Sequence, residues 1–149
     1  MPHKRRPRVV LDSVVLVSVF LTEEGLAAEL FAECVEKAEL CTAEEILQET
    51  RRVLLEKDHI RSKYAYHDRE VERFIELVRE KCTVASELPP LHVIERDPKD
   101  DMIIACAVAA QADYVVSRDL DLLDLGEYRG IQIVSPEDFV QYLRDDGDH

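Results

Sequence analysis

The chain has 149 residues, 46% hydrophobic and 34% charged, with a formal net charge of −13. That length predicts one domain burying about two-thirds of its unfolded surface, and the apolar content excludes a disordered tail. The acidity argues against a general nucleic-acid scaffold, which would be basic, but leaves room for an acidic pocket neutralised by divalent cations.

No apolar run reaches the roughly 18 residues that span a bilayer. The longest candidate, VVLDSVVLVSVFL (9–21), carries Asp12 within it and has no small-residue cleavage site, so a cytoplasmic protein is expected. Cys34, Cys41, Cys82 and Cys106 form no CxxC pair, and the histidines form no HxxxH or HExxH pattern. Reduced core thiols and no zinc site are expected. HKRRPR opens a basic arm (1–7) and an acidic tail closes the chain (144–149); both are expected to be flexible, flanking a single domain over 8–143.

In chain order, RVVLD (8–12) reads as a buried strand ending in an acid, and SVVLVSVF continues apolar, where a helix links best to the next segment. GLAAELFAECVEKA (25–38) has Leu26, Leu30, Phe31, Cys34 and Val35 at helical spacing. ELCTA (39–43) is a second short strand. TAEEILQETRRVLLEKD (42–58) opens with a threonine and two glutamates, a helix-start signature, and buries Ile46, Leu47, Thr50, Val53 and Leu54. Within the mixed-charge stretch 57–81, Val71, Phe74, Ile75 and Val78 mark an amphipathic helix.

TVASELPPLHVIE (83–95) predicts a strand, a Pro-Pro break and another extended piece. RDPKDDMIIACAVAAQADYVVSRDLDLL (96–123) supplies a helix over about 98–111, with Asp97 as its cap, and a strand over 113–117. GIQIVS (130–135) is the last strand, and SPEDFVQYL (135–143) a helix with Ser135 as cap and Pro136 at its first position. Strands alternating with helices predict an α/β fold whose mostly parallel sheet is covered on both faces.

Ligands of such sheets bind outside the carboxyl ends of the strands. Asp12 ends the first strand, Asp119 comes two residues after VVS, and Asp100 and Asp101 open the helix that leads into the Asp119 strand, so all four belong to one rim. Each alone has a local explanation, because acids cap helices and favour the first turn. Glu49 sits mid-helix and reads as exposed unless its helix leans over the rim. Carboxylates brought together repel, and a hard divalent cation such as Mg²⁺ or Mn²⁺ relieves this. Such a centre can activate water for phosphodiester hydrolysis.

VVLDSVVLVS resembles the hhhDTNhhh start of PIN-domain ribonucleases, and AEEILQET their second motif. RDPKDDMIIACAVAAQADYVVSRDLDLLDL is similar to their third and fourth motifs, and YRGIQIVSPEDFVQYL to their usual ending. The resemblance runs from about residue 8 to 143 and is most specific over 97–123. It implies a three-layer α/β/α sandwich and a Mg²⁺- or Mn²⁺-dependent endoribonuclease of single-stranded RNA, often the toxin of a toxin–antitoxin pair. The acidic quartet carries over onto Asp12, Glu49, Asp100 and Asp119 as catalytic residues. Asp12, Asp100, Asp101 and Asp119 would hold metal, with Ser13, Ser117 and Asp121 in support. Asp121 could alternatively cap the LLDL turn.

The departures are Ser13 for Thr, Val14 for Asn and Arg118 for a small residue. Loss of the amide at Val14 can weaken a metal site by roughly ten- to a hundredfold. Arg118 either holds a substrate phosphate or pairs with Asp121. Arg51 and Arg52 are further candidate phosphate contacts in a basic stretch over 51–73, where Tyr64 and Tyr66 could stack on bases and solvated ion pairs are the alternative. RNA, a protein antitoxin and a second copy are the implied partners. A binding module with a degenerate metal site is the rival reading, motivated by Val14. A phosphoacceptor domain fits poorly, since Ser135 stands before Pro136 where a lysine is expected.

Overall fold

Val9, Val10 and Leu11 are consecutive and all buried. Successive side chains of a strand point to opposite faces, so this strand is covered on both. The computed structural model describes residues 6–91 and 98–147. Its elements are β1 (Arg8–Leu11), α1 (Ser13–Leu21), α2 (Leu26–Lys37), β2 (Glu39–Ala43), α3 (Glu44–Glu56), α4 (Asp58–Lys63), α5 (Asp68–Lys81) and β3 (Thr83–Ala85), followed by α6 (Pro98–Ala109), β4 (Tyr114–Val116), α7 (Leu120–Leu125), β5 (Glu127–Tyr128), β6 (Ile131–Val134) and α8 (Pro136–Gly147).

Among the described residues, six strands lie in the order β3-β2-β1-β4-β6-β5. All neighbours are parallel except β5, which runs antiparallel to β6. Leu40, Cys41, Thr42 and Ala43 of β2 and Val115 and Val116 of β4 are likewise buried in succession. Helix α6 packs on β1, β2 and β4, while α2 packs on β2 and α8, and α1 on α2 and α3. The fold is the expected α/β sandwich around a mostly parallel sheet. Among the described residues, no helix is long and apolar enough to cross a membrane.

β1 and β4 finish level: Leu11 lies opposite Val116. The Asp12 N–H then donates to the Val116 carbonyl at 3.1 Å, and the Ser117 N–H to the Val134 carbonyl at 3.0 Å. From β1 the sheet grows through β2 to β3 on one side and through β4 to β6 on the other. Asp12 and Ser117 therefore flank the point where strand order reverses, the usual place for a crevice.

Several local expectations are corrected. Thr42 is a strand residue, and α3 starts from Ala43 with no side-chain cap; only Glu44 and Glu45 of the helix-start signature sit in the first turn. Helix α4, the short α7 and strand β5 have no counterpart in the sequence pattern, and α8 runs past 143 to Gly147. Ser135 does cap α8, accepting the Asp138 N–H at 3.2 Å. The Asp97 cap, the extended piece after Pro90, residues 1–5 of the basic arm and residues 148–149 lie outside the described residues.

The cysteines are all free, Cys34, Cys41 and Cys106 buried and Cys82 half-buried. Burial pushes the Cys34, Cys82 and Cys106 thiols up to about 12, so they are inert core residues. Tyr66 is also structural. Its ring stands edge-on to Phe20, and its hydroxyl donates to the Leu54 carbonyl at 2.6 Å.

Candidate metal centre

Asp12 comes directly after β1 and is the N-cap of α1, with Oδ1 accepting the Val15 N–H at 2.8 Å. Oδ2 accepts from Ser117 Oγ, and the same Oγ accepts the Asp119 N–H at 2.9 Å. Ser117 is fully buried and Asp12 is 4% exposed. This one hydroxyl thus links the ends of the two central strands. Burial pushes the Asp12 carboxyl above its ordinary value; the Ser117 and Val15 bonds oppose that, and the negative charge of Asp119 adds to it.

Asp119 is the N-cap of α7, accepting the N–H groups of Asp121 and Leu122 through Oδ1. Its N-cap role shows that Asp121 is not the cap of the LLDL segment. That turn also swings Asp121 back to the rim. Asp100, in the first turn of α6 and 6% exposed, meets both: one carboxylate oxygen from each of Asp100, Asp119 and Asp121 lies within 4.8 Å of the others. Asp101, one place further along α6, is half-buried and is not in this triad.

A cavity of about 310 Å³ opens at this rim, and its lining includes Asp12, Asp100 and Asp119 together with Ser13, Val14 and Glu49. Helix α3 does lean over the rim, so Glu49 reaches the cavity, its side chain only 14% exposed. Its carboxylate is held by Arg52, with Nη2 to Oε1 at 2.7 Å and Nε to Oε2 at 3.1 Å, and by Lys99 Nζ to Oε1 at 3.1 Å. Arg52 and then Lys99 hold its carboxyl below the usual value against the opposing effect of burial.

The candidate phosphate contacts are distributed differently from expectation. Arg118 pairs with Glu137 at 2.6 Å, not with Asp121. Arg51 pairs with Glu72 at 2.5 Å, and Arg52 is the anchor of Glu49. Two residues at the rim do more than the motifs alone suggest. The motifs put Asp121 only in support, and no spacing signals its place in the triad, since positions two apart on a helix do not ordinarily face each other. They give Lys99 no role, although it shares the first turn of α6 with Asp100.

The donor set is all oxygen, without thiolate or imidazole, which suits a hard divalent cation rather than zinc. Oxygens this close fit around one such ion, whose bonds to oxygen run roughly 2.0–2.6 Å. Asp100, Asp119 and Asp121 are the residues that could hold it, with Asp12 adjoining in the same cavity.

An acid-lined crevice at the switch point of a parallel sheet is a place suited to a divalent cation. A family model described as PIN domain matches residues 8–121, and the chain belongs to that family, typically one of metal-dependent nucleases. No curated protein matches the chain. Among solved structures, "Crystal structure of PAE2754 from Pyrobaculum aerophilum" is similar with a TM-score of 0.58 at 16% identity, covering 93% of this chain and 90% of that one. That likeness is one of fold.

Proposed function

We propose that the protein is a divalent-metal-dependent endoribonuclease that hydrolyses phosphodiester bonds of single-stranded RNA, with Mg²⁺ or Mn²⁺ as its ion. The observation that carries this reading is the triad of Asp100, Asp119 and Asp121, with oxygens within 4.8 Å at the switch point. Three carboxylates so close repel one another, and a bound dication offsets that repulsion. The ion, when bound, activates a water and stabilises the leaving oxygen. Asp100, Asp119 and Asp121 hold it, Asp12 completes the negative wall, and Ser117 fixes the Asp12 carboxylate by its hydrogen bond. Asp101 and Ser13 adjoin this set as supporting residues. The toxin role, a protein antitoxin, a homodimer and a cytoplasmic setting rest on the resemblance of the motifs and the composition.

Incubating mixed RNAs with the purified protein tests the activity, with Mn²⁺ or with chelator, beside Asp119→Asn. Cleavage by the wild type in Mn²⁺ alone is the expected result, and undiminished cleavage by Asp119→Asn removes the assignment. One observation favours a second reading, a binding module with a degenerate, weakly active or inactive metal site: Val14 lines the cavity and is 60% exposed where the family carries an amide. Calorimetry separates the two, because a degenerate site takes up no Mn²⁺ that Asp119→Asn abolishes.

A further inference from the structure

Among the described residues, Lys99 is the one basic side chain lining the cavity that holds Asp12, Asp100 and Asp119. The substrate is a polyanion, and the charged residues lining the cavity are otherwise Asp12, Glu49, Asp100 and Asp119, so a cation at this position has a task. Lys99 is 56% exposed in its side chain and sits next to Asp100 at the start of α6. Its ammonium is held over the cavity by Glu49 at 3.1 Å, and Glu49 is itself gripped through both oxygens by Arg52. An ammonium carries three donors, so a tether and a phosphate contact are compatible.

Glu49 is poorly placed as a ligand for the same reason. Entering the coordination sphere would require it either to drop both cations or to carry two positive charges up against a dication. We infer that Lys99 is the phosphate-holding residue of this centre and that Glu49 is its positioning residue, not a metal ligand. This rests on the nuclease reading above. It also departs from the role the family resemblance implies for Glu49.

The test uses the full chain with three variants: Lys99→Met, Lys99→Arg and Glu49→Gln. Mn²⁺ affinity is measured by calorimetry without RNA, and KM and kcat are measured on a labelled single-stranded RNA over a salt series. Lys99→Met is expected to raise KM by roughly ten- to a hundredfold, the loss of a charged hydrogen bond. It also makes the salt dependence shallower by about 0.7 in log–log slope, as one lost phosphate contact on a single strand does. Mn²⁺ binds Lys99→Met no more weakly, since a neighbouring positive charge has gone. Lys99→Arg restores most of the KM. Glu49→Gln raises KM, leaves Mn²⁺ affinity nearly unchanged, and adds little on top of Lys99→Met.

Either of two results overturns the inference: an unchanged KM in Lys99→Met, or a Mn²⁺ affinity weakened about tenfold or more in Glu49→Gln, as loss of a metal-site contact gives. Both leave the nuclease reading standing as long as Asp119→Asn abolishes cleavage. Retention of cleavage in Asp119→Asn strikes that reading instead.

Discussion

At the carboxyl ends of β1 and β4, carboxylates crowd together: Asp100, Asp119 and Asp121 share a space of 4.8 Å, and Asp12 is buried beside them with its carboxyl pushed up. Along α3, α4 and α5 charge is arranged in the opposite way. Arg51 holds Glu72, Arg61 holds Asp68, and Arg79 holds Glu44 and Glu76. Both regions are densely charged, yet only one of them opposes folding. Paired surface charges are close to neutral in stability and need no ligand to account for them. Asp12 and Asp100 are buried, which disfavours their charged forms, and crowding against Asp119 and Asp121 adds repulsion; buried acids beside like charges gather at functional sites. Charge density alone does not mark the site; uncompensated cost does.

The sharpest way to break this contrast is Asp119→Asn. The amide keeps the cap on α7, since asparagine and aspartate are comparable N-caps, but it removes one charge from the triad. Mn²⁺ affinity measured by calorimetry is expected to fall by more than about a hundredfold, the upper end for loss of a supporting contact at a metal site. A companion measurement needs no substrate. At a free Mn²⁺ concentration a hundred times its dissociation constant, the wild type gains about 2.7 kcal/mol against unfolding. The gain appears as a raised melting temperature and vanishes in the variant. Equal stabilisation of both proteins would mean that the crowding is not a site.

How far these regions can be read from residues alone depends on the range of the interactions involved. The helix over 25–38 is set by local apolar spacing, the strand at 39–43 by a short apolar run and the helix over 98–111 by an alanine-rich apolar run behind two acids, and the structure reproduces them within a few residues. Asp12, Asp100 and Asp119 are legible because topology alone sends strand ends and the starts of the next helices to one rim. Glu49 is not legible from spacing; only the family resemblance points to it, because whether α3 leans over the rim is a tertiary matter. Asp121 is easily underrated because LDLLDL, six residues long, reads as a turn when it is a helix capped by Asp119. Arg51 and Arg118 are easily over-read because their partners are remote in sequence, Glu72 being 21 residues from Arg51 and Glu137 19 from Arg118.

Ser117→Ala tests the link between the two strand ends. It removes the only side-chain donor that the described residues direct at Asp12 Oδ2 and deprives the Asp119 N–H of its acceptor. Leaving a buried carboxylate short of a partner costs about 1–3 kcal/mol, read as a lower urea midpoint in the metal-free protein. The same loss raises the Asp12 carboxyl further, since its largest opposing influence is gone.

Asp12→Asn acts in the other direction. A carboxyl whose folded value lies above its unfolded value makes the folded state the stronger proton binder, so stability falls as pH rises from the unfolded value through the raised one. Asparagine escapes that fall. Urea melts in chelator are expected to show wild type and variant alike below about pH 4, where the unfolded carboxyl is protonated, with the variant gaining as pH rises. Saturating Mn²⁺ reverses the order at neutral pH, because only the wild type keeps the full charge of the site. A variant less stable than wild type at neutral pH in chelator would show that Asp12 is structural.

Arg51→Ala carries the smallest expected effect and probes the other side of the contrast. Its partner Glu72 and Arg51 itself are 52% and 41% exposed in their side chains, so water screens the pair. Its removal changes stability by less than about 1 kcal/mol. Because Arg51 is engaged on α5 and does not line the acidic cavity, the salt dependence of RNA cleavage should keep its slope. A slope made shallower by about 0.7 would instead place Arg51 on a phosphate of the bound strand. The ion-paired face of α3 and α5 would then be part of the RNA track, and the division between a costly site and a self-satisfied surface would fail at that point.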